Sequence, residues 1–125
     1  MNLPHIKAHE VLTIYGIPNC DTCRKARKFL DARETPYRFH DLRADGVSAE
    51  MLDRWLAAIE WKTLMNTRST TWRGLADNDR SDMNTDKAKA LMLAHPTLIK
   101  RPVAETANHV SVGFSTERYE KFQGK

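Results

Sequence analysis

A short apolar run at residues 11–15 (VLTIY) is followed, across the loop Gly16-Ile17-Pro18-Asn19, by Cys20-Asp21-Thr22-Cys23. The pair of cysteines then leads into a segment with helical apolar spacing. VLTIY is rich in β-formers and reads as a strand. Cys23, Ala26, Phe29 and Leu30 recur three and four residues apart, which predicts a helix over 21–33. Arg24, Lys25 and Lys28 fall on its other side. A strand, a tight loop and a helix opening on a CxxC is a context for thiol redox chemistry more than for a metal knuckle.

The rest of the chain continues this α/β alternation. YRFH predicts a second strand over 36–40, ending at Asp41, and Asp45-Gly46 marks a turn. Ser48 can cap a helix to about residue 60 that buries Met51, Leu52, Trp55, Leu56 and Ile59. Met51 stands where a capping box has Glu, so a full box is not expected. Residues 61–65 and 72–75 read as short turns, 66–71 and 78–84 as polar loops. Thr85 can cap a helix to about residue 94 with Ala88, Leu91 and Met92 inward, stopped by His95-Pro96. Two strands, 103–106 and 109–114, follow across a tight turn, and Ser115 can cap a last helix carrying Tyr119 and Phe122. The natural layer arrangement is a small mixed sheet with helices on both faces. We read residues 1–125 as one domain, with a flexible leader over 1–10 and a helical insert over about 48–95.

Composition excludes several classes. With 41% hydrophobic and 29% charged residues the chain is neither disordered nor, with 5 Gly and 5 Pro, fibrous. No stretch approaches 18 apolar residues, and the first ten lack the apolar segment of a signal peptide, so a cytoplasmic protein is expected. A net charge of +4 does not announce nucleic acid. Trp55, Trp61 and Trp72 are expected in core or groove positions, so direct nucleic-acid binding is not expected. No heptad pattern calls for a dimer, and a monomer is expected. Zinc would need ligands beyond the two cysteines, and His5, His9, His40, His95 and His109 are scattered without spacing to supply them.

Cys20 falls where the first helical N–H groups lack partners, so a thiolate there meets donors and the positive helix end. It is the expected nucleophile. Cys23, one turn on, can resolve a mixed disulfide on Cys20 or serve as a small buried apolar residue. The same N–H groups can hold an oxyanion, for which Arg68 and Arg101 are the candidate guanidinium donors. Pro102, from sequence alone, is expected to follow a trans bond.

Four segments in order, YGIPNCDTCRKARKFL, MNTRSTTWRGL, HPTLIKRPV and VGFSTERYEKF, resemble the arsenate reductase (ArsC) family across nearly all of residues 11–122. NTRSTTWRGL favours its YffB branch, whose members are described as glutathione-dependent thiol reductases. The chain also looks like the Spx regulators, which carry a CxxC switch and bind the RNA polymerase alpha subunit. The resemblance implies a thioredoxin-like fold with an inserted helical region, catalytic Cys20, and an Arg101-Pro102 pair with a cis bond. It implies Asn19, Asn66, Arg68, Arg101 and Pro102 as substrate-binding residues, with Cys23 and Arg101 joining Cys20 in catalysis. Of the family's three oxyanion-holding arginines, one position is kept at Arg101, one falls at Asn66 with Arg68 two positions on, and one falls near Gly113 and Phe114. The implied activity is a thiol oxidoreductase with glutathione as co-substrate, glutaredoxin as a partner, a small oxyanion or disulfide as substrate, and no tightly bound cofactor. Arsenate reduction coupled to glutathione and glutaredoxin, and Spx-like redox sensing, are the alternatives.

Overall fold

A computed structural model describes residues 11–122 as two compact units, one formed by the segments up to Leu42 and from Arg101, the other by Arg43–Lys100. The expectation for residues 1–10 lies outside the described residues.

The first unit is a four-stranded mixed sheet with the order β2-β1-β3-β4. Its elements are β1 (Thr13–Gly16), α1 (Asp21–Ala32), β2 (Arg38–Asp41), β3 (Val103–Thr106), β4 (His109–Val112) and α7 (Thr116–Tyr119). β1 runs parallel to β2 and antiparallel to β3, and β3 pairs antiparallel with β4. Ile14 is in register with Phe39 and with Ala104, so one sheet face carries all three. This face packs with Ala26 and Leu30 of α1 and with Tyr119 and Phe122 at the chain's end. Tyr15 points to the opposite face and donates its hydroxyl proton to Glu105 Oε1 at 2.9 Å. An open mixed sheet flanked by helices, with further helices inserted between β2 and β3, is a thioredoxin-like α/β fold.

α1 forms because Cys23, Ala26 and Leu30 make one buried stripe and Asp21 complements the helix start. It ends in a left-handed residue, Glu34 at φ 57°, with the Thr35 N–H returning to the Leu30 carbonyl at 2.9 Å. β4 stops at Val112, two residues before the expected end, because Gly113 turns at φ 81° and leaves the ladder.

The second unit holds α2 (Ala49–Ala58), α3 (Trp61–Leu64), α4 (Thr70–Arg73), α5 (Asp77–Arg80), α6 (Thr85–Ala94) and a 3-10 turn at Pro96–Leu98. Its buried set includes Leu52, Trp55, Leu64, Met65, Ala88, Met92, Leu98 and Ile99. Three expectations change here. The Ser48 hydroxyl accepts from Met51 N–H at 3.1 Å while the Met51 sulfur accepts from Ser48 N–H at 3.5 Å, so a thioether completes the box that lacks Glu. Residues 70–71 and 78–80, expected in polar loops, belong to the single turns α4 and α5; α4 starts two residues ahead of the short turn expected over 72–75 and is capped by Ser69 through Trp72 N–H at 3.1 Å. The cap of α6 is Asn84, not Thr85, its Oδ1 accepting from Lys87 N–H at 2.8 Å. Among the described residues no helix is long and apolar enough to cross a membrane.

Candidate functional site

The loop after β1 closes as a tight turn in which Cys20 N–H donates to the Ile17 carbonyl at 3.3 Å. Pro18 supplies the fixed φ at its second position, and Asn19, exposed, the third. Cys20 is therefore the N-cap of α1, with extended backbone, while its carbonyl accepts from Arg24 N–H at 2.9 Å as the first helical bond.

The Cys20 sulfur is half-buried. Burial alone raises its pKa, but the N–H of Cys23, the Cys23 thiol, the Arg101 side chain and the N–H of Thr22 together hold it below the ordinary thiol value. The two N–H groups stop short of a full capping hydrogen bond and act as oriented dipoles at the helix end. Arg101 reaches the sulfur from the start of β3, after a cis bond to a buried Pro102. Pro102 is itself held where its carbonyl accepts from Gly113 N–H at 2.8 Å. The cis geometry agrees with the resemblance and corrects the trans expectation.

Cys23 is fully buried, and burial pushes its thiol up to about 11. The Ile17 N–H opposes that rise, the Cys20 sulfur adds to it, and the Arg101 charge opposes it. The two thiols are free, and they differ sharply: one is stabilised as an anion, and the other is kept protonated beside it.

The structure thus brings Cys20, Cys23 and Arg101 together, with Asn19 in the adjoining turn. Asn66 and Arg68 belong to the other unit. There Asn66 N–H donates to the Leu98 carbonyl at 2.7 Å and its Oδ1 accepts from Arg68 N–H at 2.9 Å. Arg68 is exposed, and its carbonyl accepts from Arg73 Nη1 at 2.6 Å. The two arginines that follow Cys23 are engaged elsewhere. Arg24 pairs with Asp21, and Arg27 lies 4.1 Å over the Phe39 ring and within 3.3 Å of the Tyr37 hydroxyl. Among the described residues no cluster of His, Cys, Asp and Glu is arranged to hold a metal.

Three contributors escape a reading of the sequence. The Ile17 N–H acts on Cys23 through backbone geometry. Tyr119, fully buried on α7, has its hydroxyl pushed up by burial and by the nearby Cys23. Gly16, at the end of β1, leaves open the space occupied by the Cys23 sulfur. Only Gly16 had a local signal, a glycine closing a strand.

Comparison with known proteins places this arrangement among relatives. The profile of the ArsC family matches residues 15–122. A solved structure of a protein named YFFB is 42% identical, covering 90% of this chain and 98% of its own, with a TM-score of 0.86. An arsenate reductase (ArsC) related protein from Brucella melitensis is 44% identical over 90% of this chain and 93% of its own, with a TM-score of 0.72. The global transcriptional regulator Spx of Enterococcus faecalis is 28% identical over 114 residues, 90% of this chain and 86% of the regulator.

Proposed function

Because the chain belongs to the ArsC family, we propose that it works as a thiol oxidoreductase in which Cys20 is the attacking sulfur and glutathione the co-substrate. The observation that carries the reading is a stabilised Cys20 anion at the start of α1 paired with Arg101, which reaches it from the start of β3. The Cys20 thiolate attacks the glutathione sulfur of a glutathione mixed disulfide, forms a Cys20–glutathione S–S bond and expels the other sulfur as a thiolate. A glutathione thiolate then attacks the mixed disulfide, restores the Cys20 thiolate and leaves as glutathione disulfide. Arg101 has the fork to hold a carboxylate of glutathione or an oxyanion beside the sulfur. Asn19 and Pro102 join it in the proposed binding set.

The test is NADPH consumption coupled through glutathione reductase, with a mixed disulfide of glutathione as substrate and, in parallel, arsenate with glutaredoxin. Turnover of the disulfide that disappears in Cys20→Ser is expected. Full activity in Cys20→Ser would overturn the reading, and turnover of arsenate alone would make the chain an arsenate reductase.

A second reading rests on the Spx likeness, which spans 90% of the chain. There Cys20 and Cys23 would sense oxidation while the fold binds RNA polymerase. Capture of the polymerase alpha subunit that changes with oxidation, without turnover in either assay, would establish that reading over the enzyme.

A further inference from the structure

Gly16 is buried at the end of β1. Its backbone lies outside the left-handed region, so its own conformation makes no demand for glycine. The demand comes from a neighbour. A Cβ at this position would stand 2.4 Å from Cys23 Sγ and 3.3 Å from Cys23 Cβ, with Phe39 Cε1 at 3.7 Å. Carbon and sulfur cannot approach so closely, and the space is bounded on the far side by the aromatic ring. The Cys23 sulfur therefore sits where it does only because residue 16 lacks a side chain. Cys20 is the N-cap of α1 and Cys23 its third helical residue, so the place of the Cys23 sulfur sets how its S–H faces Cys20 one turn back.

We propose that Gly16 is a positioning residue for the reactive thiol: by leaving the space that the Cys23 sulfur occupies, it aims the Cys23 S–H at Cys20 and so supports the Cys20 anion. The proposal rests on the reading of Cys20 as nucleophile and assigns Cys23 the part of a fixed donor in the resting state. Gly16 touches no substrate in this scheme and acts only through Cys23. The charged group facing Cys20 is Arg101 from the start of β3, and the ionisable group on the side of Cys23 is Tyr119 of α7.

The experiment is the pH dependence of iodoacetamide alkylation at Cys20 in the full chain, read by peptide mass, for the wild type, Gly16→Ala, Cys23→Ala and the double variant. Each single substitution is expected to move the profile to higher pH and to lower the rate at pH 7 by about fivefold, the size of one ordinary net hydrogen bond, since a thiol is a weak donor. The double variant is expected to reproduce Cys23→Ala without further loss, because the sulfur through which Gly16 acts is gone. It is also expected to unfold at higher urea than Gly16→Ala, since the closest contact has been removed. If Gly16→Ala alone does not fold, a folded double variant with the Cys23→Ala profile supports the placement, and a double variant that also fails to fold overturns it. An unchanged profile in folded Gly16→Ala, or a further shift in the double variant, overturns it as well. Alkylation does not depend on turnover, so an enzyme assay that fails would count against the proposed function and leave this result standing.

Discussion

The two cysteines, three residues apart, are expected to react with an alkylating agent at very different rates, and the structure sets the ratio. At pH 8 a thiol raised to about 11 is ionised in about one molecule in a thousand. Cys20, held below its ordinary value of 9.0, is ionised in at least about a tenth. The thiolate fractions therefore differ by about a hundredfold or more. Intrinsic nucleophilicity works the other way, since the more basic thiolate is the stronger nucleophile. With a Brønsted coefficient of about 0.4–0.5, a gap of about two units returns roughly tenfold to Cys23. A net preference of at least about tenfold for Cys20 remains. Full burial of Cys23 widens it, because the reagent cannot reach a sulfur with no exposed surface. The assay is limited iodoacetamide labelling at pH 8 with peptide mass readout, in buffer and again in guanidinium chloride. Cys20 should carry nearly all the label in buffer, and the two sites should label comparably once unfolded. Labelling of Cys23 at more than about a tenth of the Cys20 rate in the folded protein would refute the assignment of one half-buried anion and one fully buried thiol.

Other outcomes are equally specific. Cys23 holds its proton more tightly folded than unfolded, so its contribution to stability is complete below about pH 9 and is lost as pH rises through about 11. Urea unfolding should show an alkaline loss of at most about 3 kcal/mol in that window, and the slope should be shallower in Cys23→Ala. Arg101→Ala removes a donor to the Cys20 anion, and alkylation of Cys20 at pH 7 should fall by about three- to tenfold, the exposure of the sulfur keeping the effect modest. An unchanged rate would remove Arg101 from the site. Glu34→Gly relieves a left-handed residue at the end of α1, and its urea midpoint should rise by the equivalent of about 1 kcal/mol. A lower midpoint would show that Glu34 makes contacts worth more than its backbone strain.

Much of this architecture can be read from short-range chemistry. β1, the turn at Pro18 and the stripe of α1 follow from β-formers, a fixed φ and apolar spacing. Cys20 as the reactive sulfur follows from its place at the helix start. Arg101 was recognisable as a candidate guanidinium, but its approach to Cys20 depends on β3 lying beside β1, which no local pattern encodes. α5 and the start of α4 escape because each element is a single turn with no buried residue, so there is no apolar period to detect. The box at Ser48 escapes because a thioether is a weak acceptor and Met is normally counted as apolar. Gly16 escapes because its importance lies in a side chain seven residues further on, which fills the volume that glycine leaves.

The first unit is assembled from two stretches of chain separated by the whole of the second. Its central strand β1 is flanked by β2, about 25 residues ahead, and by β3, with Tyr15 and Glu105 joined across 90 residues. During synthesis the strand, the turn and α1 emerge first, with both cysteines already present. Arg101 emerges after the entire insert. Until then Cys20 has the helix start and Cys23 but not the guanidinium, and Tyr119 has not yet arrived to seal the core around Cys23. Full reactivity of the thiol is thus tied to completion of the fold: an unfinished chain carries a less ionised cysteine, and the activated sulfur belongs to molecules whose C-terminal hairpin has docked.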